Sequence, residues 1–373
     1  MKIGIFEMEH FEGAFPVIKL FDMPGNEITI YTSSETHKRF LQLFGNDAER
    51  YQWAVLSTRV KFRFFYTLYK ELRKQKPDLL YINTVSNNHL LYSLVLRLLG
   101  LKRTVLTVHD INCLFESRPS WDFRKAIIHR GKKWLIRYID EFNVVADTMI
   151  PYLQTKIKGK MSHNVSGAVF ENRYSPQNID HPLRIVVPGS LDKRRRNYEQ
   201  VFELINLAEQ SDLKLEITLL GGYSDDDGES IAARADSYHP RFCSVIAYHV
   251  RVVDQEEFDK KMDAAHFVFI PSVVETWICG DIPEIYGKTK SSGNVFDVIK
   301  HAKPFIVPER LNLSTNLQTS CFKYKEVSDI IDFLEKLISS PGHYEFLQEN
   351  ALRNSKNYTI EKVRERNAAL FKS

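Results

Sequence analysis

Short apolar runs alternate with longer segments of helical period along most of the chain. In the first half the runs are KIGIF (2–6), EITIYT (27–32), WAVLS (53–57), LLYIN (79–83), TVLTVHD (104–110) and FNVVA (142–146). The segments between them, such as 59–76 and 88–100, carry apolar residues at spacings of three and four, which is typical of amphipathic helices. Strands that alternate with helices in this way predict an α/β fold with a parallel, doubly wound sheet.

The alternation pauses once and then resumes. Residues 171–183 (ENRYSPQNIDHPL) lose the apolar periodicity and contain several turn formers. Strand-like runs then return as RIVVPG (184–189), LEITLLGG (215–222), CSVIAY (243–248), HFVFIPS (266–272) and PFIVP (304–308). We therefore expect two Rossmann-like domains that face a central cleft, with an N-terminal domain (1–173), a linker (174–183), a C-terminal domain (184–355) and a last helix (356–373) that packs back on the N-terminal domain.

Several classes of protein are disfavoured by the sequence. Its four cysteines are far apart and form no CxxC pair, which argues against a disulfide scaffold and a zinc site: Cys113, Cys243, Cys279 and Cys321. GxGxxG and GxxxxGK[ST] are absent, as is HExxH spacing, so a dinucleotide dehydrogenase, a P-loop ATPase and a zinc hydrolase lack their motifs. The most apolar stretch, 90–101, contains Arg97 and is shorter than the roughly 20 residues that span a bilayer. With acidic residues in MKIGIFEMEHFEG, we expect a cytoplasmic protein without a signal peptide.

Charge is distributed unevenly along the chain. Residues 1–173 hold 26 Lys+Arg against 17 Asp+Glu, a net charge of +9, whereas residues 174–373 have a net charge of −5. A basic first half suggests contact with lipid headgroups, a phosphorylated acceptor or nucleic acid, and the alternative is a solvated surface. Nucleic acid is disfavoured, because no nucleic-acid-binding module is recognisable and the second half is acidic.

A lysine- and serine-rich turn precedes a predicted helix in the second half. The turn is Lys288-Thr289-Lys290-Ser291-Ser292-Gly293, and the helix begins with NVFDVIKHAK. Backbone N–H groups and the positive dipole end of a helix N-terminus bind phosphate oxygens. Lys288 and Lys290 add charge there, and Asp297, one turn along, could accept hydrogen bonds from the sugar of a nucleotide. The alternative is a serine cap with solvated lysines.

A second basic element follows the first strand of the second half. Its sequence is GSLDKRRRNY (189–198), and arginine forks match the geometry of a diphosphate. A loop after a parallel strand lies at the edge of the sheet where ligands bind. Four consecutive basic residues are otherwise typical of a solvated surface.

Together these motifs resemble the donor half of GT-B glycosyltransferases, in the neighbourhood of glycosyltransferase family four. The order also agrees, with LLGG (219–222) and Tyr248-His249-Val250 between the basic loop and the phosphate turn. The resemblance implies a GT-B fold and a nucleotide-sugar site formed by Gly189, Arg195, Arg196, Tyr248, Val250, Lys290, Ser291, Ser292, Gly293 and Asp297. The family's Gly-Arg is Gly189-Ser190 here, so Arg195 or Arg196 would contact the phosphates.

The family's pair of glutamates is also altered. By the same register Asp297 takes the second position and Thr289 the first. Glu284 or Glu275 could replace the missing glutamate, and the sequence does not rank them.

Histidine 109 is the catalytic candidate. Thr107-Val108-His109-Asp110 ends a predicted strand and matches a Thr-x-His segment that faces the donor sugar in similar enzymes. A neutral imidazole can donate a hydrogen bond to a sugar hydroxyl or orient an acceptor. His10 and Asp110 are the acceptor-side candidates. Asp225, Asp226 and Asp227 are interpreted as a solvated loop, so that no metal site is expected.

The predicted function is transfer of a sugar from a nucleotide diphosphate sugar to a lipid-linked or cell-surface glycan. The resemblance implies that the anomeric configuration is retained. Because no metal site is expected, the reaction is predicted to be metal-independent, and no cofactor is expected, since the nucleotide sugar is a substrate. A sugar-nucleotide epimerase is the enzyme alternative, and a basic nucleic-acid-binding protein is the alternative from another class.

Two basic amphipathic segments, 59–76 and 123–139, predict a peripheral position on an anionic membrane surface, the inner face of the membrane. Lys132, Lys133 and Arg137 are expected to face the lipid. The alternative is that both apolar faces pack on the sheet.

Overall fold

The computed structural model describes residues 1–57, 59–238, 240–277 and 280–372, which leaves Cys279 outside the described residues. Cys243 and Cys321 are free thiols. The chain divides into two compact units. The first contains Met1–Gly167, Thr289–Ser291 and residues 363–372, and the second contains Ala168–Lys288 and Ser292–Lys362.

The first unit has a seven-stranded parallel sheet in the order β3-β2-β1-β4-β5-β6-β7. Its strands are β1 (Lys2–Phe6), β2 (Glu27–Ser33), β3 (Gln52–Leu56), β4 (Leu79–Ile82), β5 (Thr104–Thr107), β6 (Glu141–Asn143) and β7 (Met161–His163). β4, β5 and β6 are buried along their whole length, as expected for central strands of a parallel sheet that is covered on both faces. The strand order reverses between β1 and β4, and ligands bind beyond the carboxyl ends of strands at such a point.

Helices cover the sheet of the first unit. They are α1 (Phe11–Phe21), α2 (Ser34–Phe44), α3 (Lys61–Gln75), α4 (His89–Leu99), α5 (Ile111–Phe115), α6 (Phe123–Tyr138) and α7 (Ile150–Ile157), with 3-10 turns at Gly45–Arg50 and Asp147–Met149. α4 packs between α3 and α6, so that these three helices form one layer. Within the described residues, no helix has both the length and the apolar character needed to cross a membrane.

The second unit has a six-stranded parallel sheet in the order β10-β9-β8-β11-β14-β15. Its strands are β8 (Leu183–Pro188), β9 (Leu215–Leu220), β10 (Ser244–Ala247), β11 (Phe267–Phe269), β14 (Phe305–Pro308) and β15 (Cys321–Tyr324), and β12 (Glu275–Thr276) pairs with β13 (Glu284–Ile285) in a separate antiparallel ribbon. Its order reverses between β8 and β11. This unit is also doubly wound, and the predicted pair of Rossmann-like sheets is confirmed.

The helices of the second unit are α8 (Tyr198–Gln210), α9 (Asp226–Asp236), α10 (Gln255–Ala264), α11 (Gly293–His301), α12 (Ser328–Ser339) and α13 (Pro341–Ser355), with 3-10 turns at Thr315–Ser320 and Lys356–Tyr358. α14 (Ile360–Arg366) and a 3-10 turn at Ala368–Phe371 follow. The last residues belong to the first unit, where Arg364 donates hydrogen bonds to the carbonyl oxygens of Leu20 (3.0 Å) and Lys19 (2.7 Å) near the end of α1.

Candidate functional site

A buried carboxylate lies at the switch point of the first unit. Glu7 directly follows β1 and is fully buried. Its Oε1 accepts hydrogen bonds from the backbone N–H groups of Glu9 (2.6 Å) and His10 (2.8 Å). Its Oε2 accepts from Nδ2 of Asn83 (2.7 Å) and Oγ1 of Thr84 (2.8 Å), both just beyond β4. Four donors replace the water that a buried carboxylate loses, and they tie the ends of β1 and β4 together.

His109 lies beside this network, beyond the end of β5. Its Nε2 is 3.0 Å from the carbonyl oxygen of Asn83. A carbonyl oxygen only accepts, so Nε2 carries the proton. Burial lowers the pKa of His109, and the nearby His10 acts in the same direction, so the ring is neutral at pH 7. The neutral ring therefore has its acceptor lone pair on Nδ1, and its N–H is already donated to Asn83.

The structure brings His10 and His109 together. Their ring centroids are 6.0 Å apart, and His10 occupies the N-cap position of α1, where it is exposed. Asp110, the other predicted acceptor-side residue, precedes α5 and forms an ion pair with Nζ of Lys290. The backbone N–H of Ile111 also donates to the carbonyl oxygen of Thr289 (2.9 Å). Lys290 and Ser291 thus belong to the first unit, and the Lys290 ammonium already has a carboxylate partner.

Arg196 is the central side chain of the second-unit site. It is 7% exposed, and its Nη1 donates to the carbonyl oxygen of Ser190 (2.8 Å). Its Nη2 donates to Oδ1 of Asn294 (2.9 Å), whose Nδ2 donates in turn to the carbonyl oxygen of Pro188 (2.6 Å). Nε makes no hydrogen bond to any described residue. A buried cation with these neutral partners favours binding of an anion.

Gly189 makes this position of Arg196 possible. Its φ is +89°, in the left-handed region, and a Cβ there would lie 2.1 Å from Nη2 of Arg196. Only glycine satisfies both conditions, because it has no Cβ and adopts positive φ without strain. The turn after β8 therefore depends on Gly189.

The N-terminus of α11 lies next to this arginine, since Asn294 is in the first turn of the helix. Ser292 is the N-cap residue and is buried, but among the described residues its side chain makes no capping hydrogen bond. A Cβ built on Gly293 has no atom of the described residues within 4 Å. Open space at a helix N-terminus beside a buried cation is suited to phosphate oxygens. Asp297 is half-buried on the next turn.

The other two arginines of the basic loop have a different environment. Arg194 forms two hydrogen bonds with the carboxylate of Asp192 (both 2.9 Å), and Nε of Arg195 donates to the same carboxylate (3.2 Å). Burial opposes ionisation of Asp192, but these cations outweigh it and hold its pKa below the usual range. Of the two predicted phosphate contacts, Arg196 lies at α11, whereas Arg195 is exposed and donates to Asp192.

The remaining predicted donor residues, Tyr248 and Val250, follow β10 at the carboxyl end of the sheet of the second unit. A Cβ on Gly222 would lie 2.4 Å from the carbonyl oxygen of Val250, and the backbone N–H of Leu191 donates to the Gly222 carbonyl oxygen (2.9 Å). Val250 itself is exposed. The hydroxyl of Tyr248 donates to Oε1 of Glu257 (2.8 Å), and burial and this carboxylate raise the pKa of Tyr248.

The acidic run 225–227 is exposed to solvent as predicted, but it begins a helix instead of lying in a loop. Asp225 accepts a hydrogen bond from the backbone N–H of Gly228 (2.9 Å) and caps α9, in which Asp226 and Asp227 are the first residues. Carboxylates are stabilised at a helix N-terminus by its dipole, which explains three in a row. In the part of the chain that the structure describes, no three His, Cys, Asp or Glu side chains are grouped as metal ligands.

Four side chains of these sites were not identified from the sequence: Glu7, Asn83, Thr84 and Asn294. Polar residues that follow a buried strand were the available signal for Glu7, Asn83 and Thr84, and the position in the first turn after Ser292 was the signal for Asn294. Of the residues considered for the missing glutamate, Glu284 and Thr289 are buried, and Glu275 is exposed.

Comparison with known proteins identifies the fold. The sequence matches no protein-family model and no curated protein. Sucrose-phosphate synthase from Thermosynechococcus elongatus is similar in structure with a TM-score of 0.67 at 14% identity, over 100% of this chain and 98% of the other. HepE from Anabaena, in complex with UDP and glucose, has a TM-score of 0.68 at 10% identity over 100% and 99%. UDP-GlcNAc 2-epimerase from Neisseria meningitidis, bound to UDP-GlcNAc, has a TM-score of 0.58 at 11% identity over 100% of both chains.

The chain has the GT-B fold. The two doubly wound domains predicted from the alternating apolar runs, and the GT-B fold that the resemblance implied, are therefore confirmed. At these identities the similarity shows the fold alone, and a sucrose-phosphate synthase and an epimerase both have it.

Proposed function

We propose that the protein is a glycosyltransferase that uses a nucleotide diphosphate sugar as donor. The buried Arg196, with neutral hydrogen-bonding partners and a helix N-terminus beside it, is the observation that carries this proposal. A diphosphate supplies the negative charge that this environment favours. Similar structures contain UDP with glucose and UDP-GlcNAc, which supports a nucleotide sugar as the ligand.

Charge on the leaving group is the main chemical difficulty of sugar transfer. As the bond to the sugar breaks, negative charge grows on the departing nucleoside diphosphate. Arg196 and the N–H groups of Gly293 and Asn294 would stabilise that charge from fixed positions, and such preorganised donors lower a barrier more than mobile water does. In our proposal these groups act without a metal ion, and the anomeric configuration is retained.

The first unit would act on the sugar and the acceptor. Because Nε2 of His109 is committed to Asn83, its Nδ1 would accept a hydrogen bond from a sugar or acceptor hydroxyl. Of the two roles predicted for His109, orienting an acceptor fits this tautomer. His10, 6.0 Å away between ring centroids, would contribute to the same region.

The acceptor that we propose is a lipid-linked or cell-surface glycan, met at an anionic membrane surface from the cytoplasmic side. The net charge of +9 on residues 1–173 supports such a partner, since each basic residue near anionic lipid adds about 1 kcal/mol of attraction. Nucleic acid is not among the proposed partners.

A sugar-nucleotide epimerase is the second candidate, because an epimerase bound to UDP-GlcNAc shares the fold over its full length. The two functions differ in their need for an acceptor. The test is to incubate the protein with a panel of nucleotide sugars, with and without lipid-linked and free glycans, and to measure released nucleoside diphosphate and the sugar that stays on the nucleotide. A glycosyltransferase releases nucleoside diphosphate faster with one acceptor, whereas an epimerase changes the sugar without any.

A further inference from the structure

Large apolar side chains are exposed mainly on one layer of helices. Of the nineteen that the described residues expose, ten lie between residues 60 and 134, on or next to α3, α4 and α6. Monomeric proteins rarely expose many large apolar side chains close together unless the surface binds a partner. The alternative that both predicted apolar faces pack inward holds for the buried Phe65 and Leu135, but not for the exposed Phe62, Tyr66, Phe123, Ile127 and Trp134.

On α6 five of the exposed residues form one line. Phe123, Ile127, Arg130, Trp134 and Arg137 follow each other at spacings of four and three, so they lie along one stripe of the helix. All five are exposed, Phe123 to 78% and Trp134 to 45%. The inner side of α6 is formed by other residues, among them the buried Leu135.

On α3 the same pattern recurs. Phe62, Tyr66, Tyr69 and Arg73 again follow spacings of four, three and four, and Phe62 and Tyr66 are 77% and 67% exposed. Nη1 of Arg73 donates to the hydroxyl of Tyr69 (3.0 Å), which holds the guanidinium along the line of rings. α4, between the two, exposes a third set: Leu94, Arg97 and Leu98.

The charges on this layer have one sign along both lines. α6 contains no Asp or Glu at all, and the four-residue line on α3 contains none either. Lys132 is not part of the surface, which corrects the expectation from sequence: it is buried, and its Nζ donates to the carbonyl oxygen of Cys113 (2.6 Å). Lys133 and Arg137 are exposed as expected.

We propose that the outer surface of α3, α4 and α6 docks on an anionic lipid bilayer, with Phe62, Tyr66, Phe123 and Trp134 in the headgroup region. Aromatic rings favour that region, and arginines beside them keep their guanidinium groups at the phosphates while their stems cover apolar surface. This proposal rests on the proposed function for the nature of the acceptor, and it adds the surface by which the protein would reach that acceptor. An acidic protein or a second copy of the chain is the competing occupant.

The test is sedimentation of the full-length protein with vesicles, without any nucleotide sugar. Vesicles of equal parts phosphatidylcholine and phosphatidylglycerol are compared with pure phosphatidylcholine, at low and high salt. The aromatic variant combines Phe62→Ser, Phe123→Ser and Trp134→Ser, and the charge variant combines Arg130→Glu and Arg137→Glu. Their matched controls are Phe346→Ser and Lys336→Glu, which change exposed residues of α13 and α12.

We expect salt-sensitive binding to the anionic vesicles alone, at least about tenfold weaker in both variants and unchanged in both controls. Quenching of tryptophan fluorescence by brominated lipid should fall in Trp134→Phe and persist in Trp277→Phe. A wild type that ignores anionic vesicles at low salt, or an aromatic variant that binds like wild type, overturns the proposal. The proposal is also overturned if analytical ultracentrifugation detects a dimer that the aromatic variant loses, and the wild type does not bind the vesicles. Nucleoside diphosphate binding, measured separately, tests the donor site, so the two proposals fail independently.

Discussion

Nη2 of Arg196 and Oδ1 of Asn294 form a 2.9 Å hydrogen bond that joins the loop after β8 to the first turn of α11. Because Asn294 also donates to the Pro188 carbonyl oxygen, the arginine is fixed with its charge at the helix N-terminus. A phosphate bound there would meet a preorganised cation, and no flexible side chain would have to become ordered first.

Removing the charge of Arg196 should weaken binding of a nucleoside diphosphate. Arg196→Met keeps much of the stem and loses the guanidinium, and a lost charge-assisted hydrogen bond costs about 1.5 to 3 kcal/mol. Arg195→Met is the matched control, since Arg195 is exposed and donates to Asp192 instead of to α11. Isothermal titration calorimetry measures both, with melting curves to check that the variants fold. Equal loss of affinity in the two variants would contradict the assignment.

The two glycines of the donor site should respond differently to alanine. Gly189→Ala places a Cβ 2.1 Å from Nη2 of Arg196 at a positive φ, so we expect it to destabilise the fold by more than about 1 kcal/mol. Gly293→Ala points a methyl into open space and should leave the free energy of unfolding nearly unchanged. If phosphate occupies that space, Gly293→Ala still weakens nucleotide binding. Urea unfolding and calorimetry together separate the two effects.

Replacing Glu7 should impair turnover without affecting the donor site. Glu7→Gln keeps the size of the side chain, but it turns an amide N–H₂ toward groups that now donate to Glu7. Asn83 would then shift, and its carbonyl oxygen, which accepts the hydrogen bond from Nε2 of His109, would move with it. We expect a lower kcat and unchanged affinity for nucleoside diphosphate. Unchanged kcat would show that the network does not position His109.

Stability should fall as the pH drops from 6.5 toward 4. Burial, together with the charge of Lys132, lowers the pKa of His89 from 6.5 to about 4. In this window the unfolded chain binds a proton at His89 that the folded chain does not, so the free energy of unfolding decreases as pH falls. The lowered pKa of His109 acts in the same direction. Melting temperatures of wild type and His89→Gln across this range check the effect, and the slope should be shallower in the variant.

The fold could be predicted from the sequence because strand and helix periods are local properties of the chain. β1, β4 and β5 stand where KIGIF, LLYIN and TVLTVHD predicted strands. The orientation of individual charges could not be predicted in the same way. Arg195 and Arg196 are neighbours in sequence, but one faces Asp192 and the other Asn294, 98 residues away along the chain.

Partners far away along the chain also determine the environment of two lysines. Lys290 pairs with Asp110, 180 residues earlier, and Lys132 satisfies a carbonyl oxygen inside the first unit. A local pattern identifies these residues as basic, but the element that packs against them determines whether they face solvent. For Lys132 the helical period contained the answer, since the line of Phe123, Ile127 and Trp134 runs along the opposite side of α6.

Glycosyl transfer is tested most directly by following the sugar itself. A nucleotide sugar labelled with carbon-13 in the sugar is incubated with the protein and a lipid-linked or free glycan, and the products are separated and identified by mass spectrometry. We predict that the label becomes covalently attached to the glycan, in equal amounts with free nucleoside diphosphate, and that Arg196→Met and His109→Ala slow this transfer. Label that remains on the nucleotide as a changed sugar, or that never leaves the donor with any glycan, would contradict glycosyl transfer.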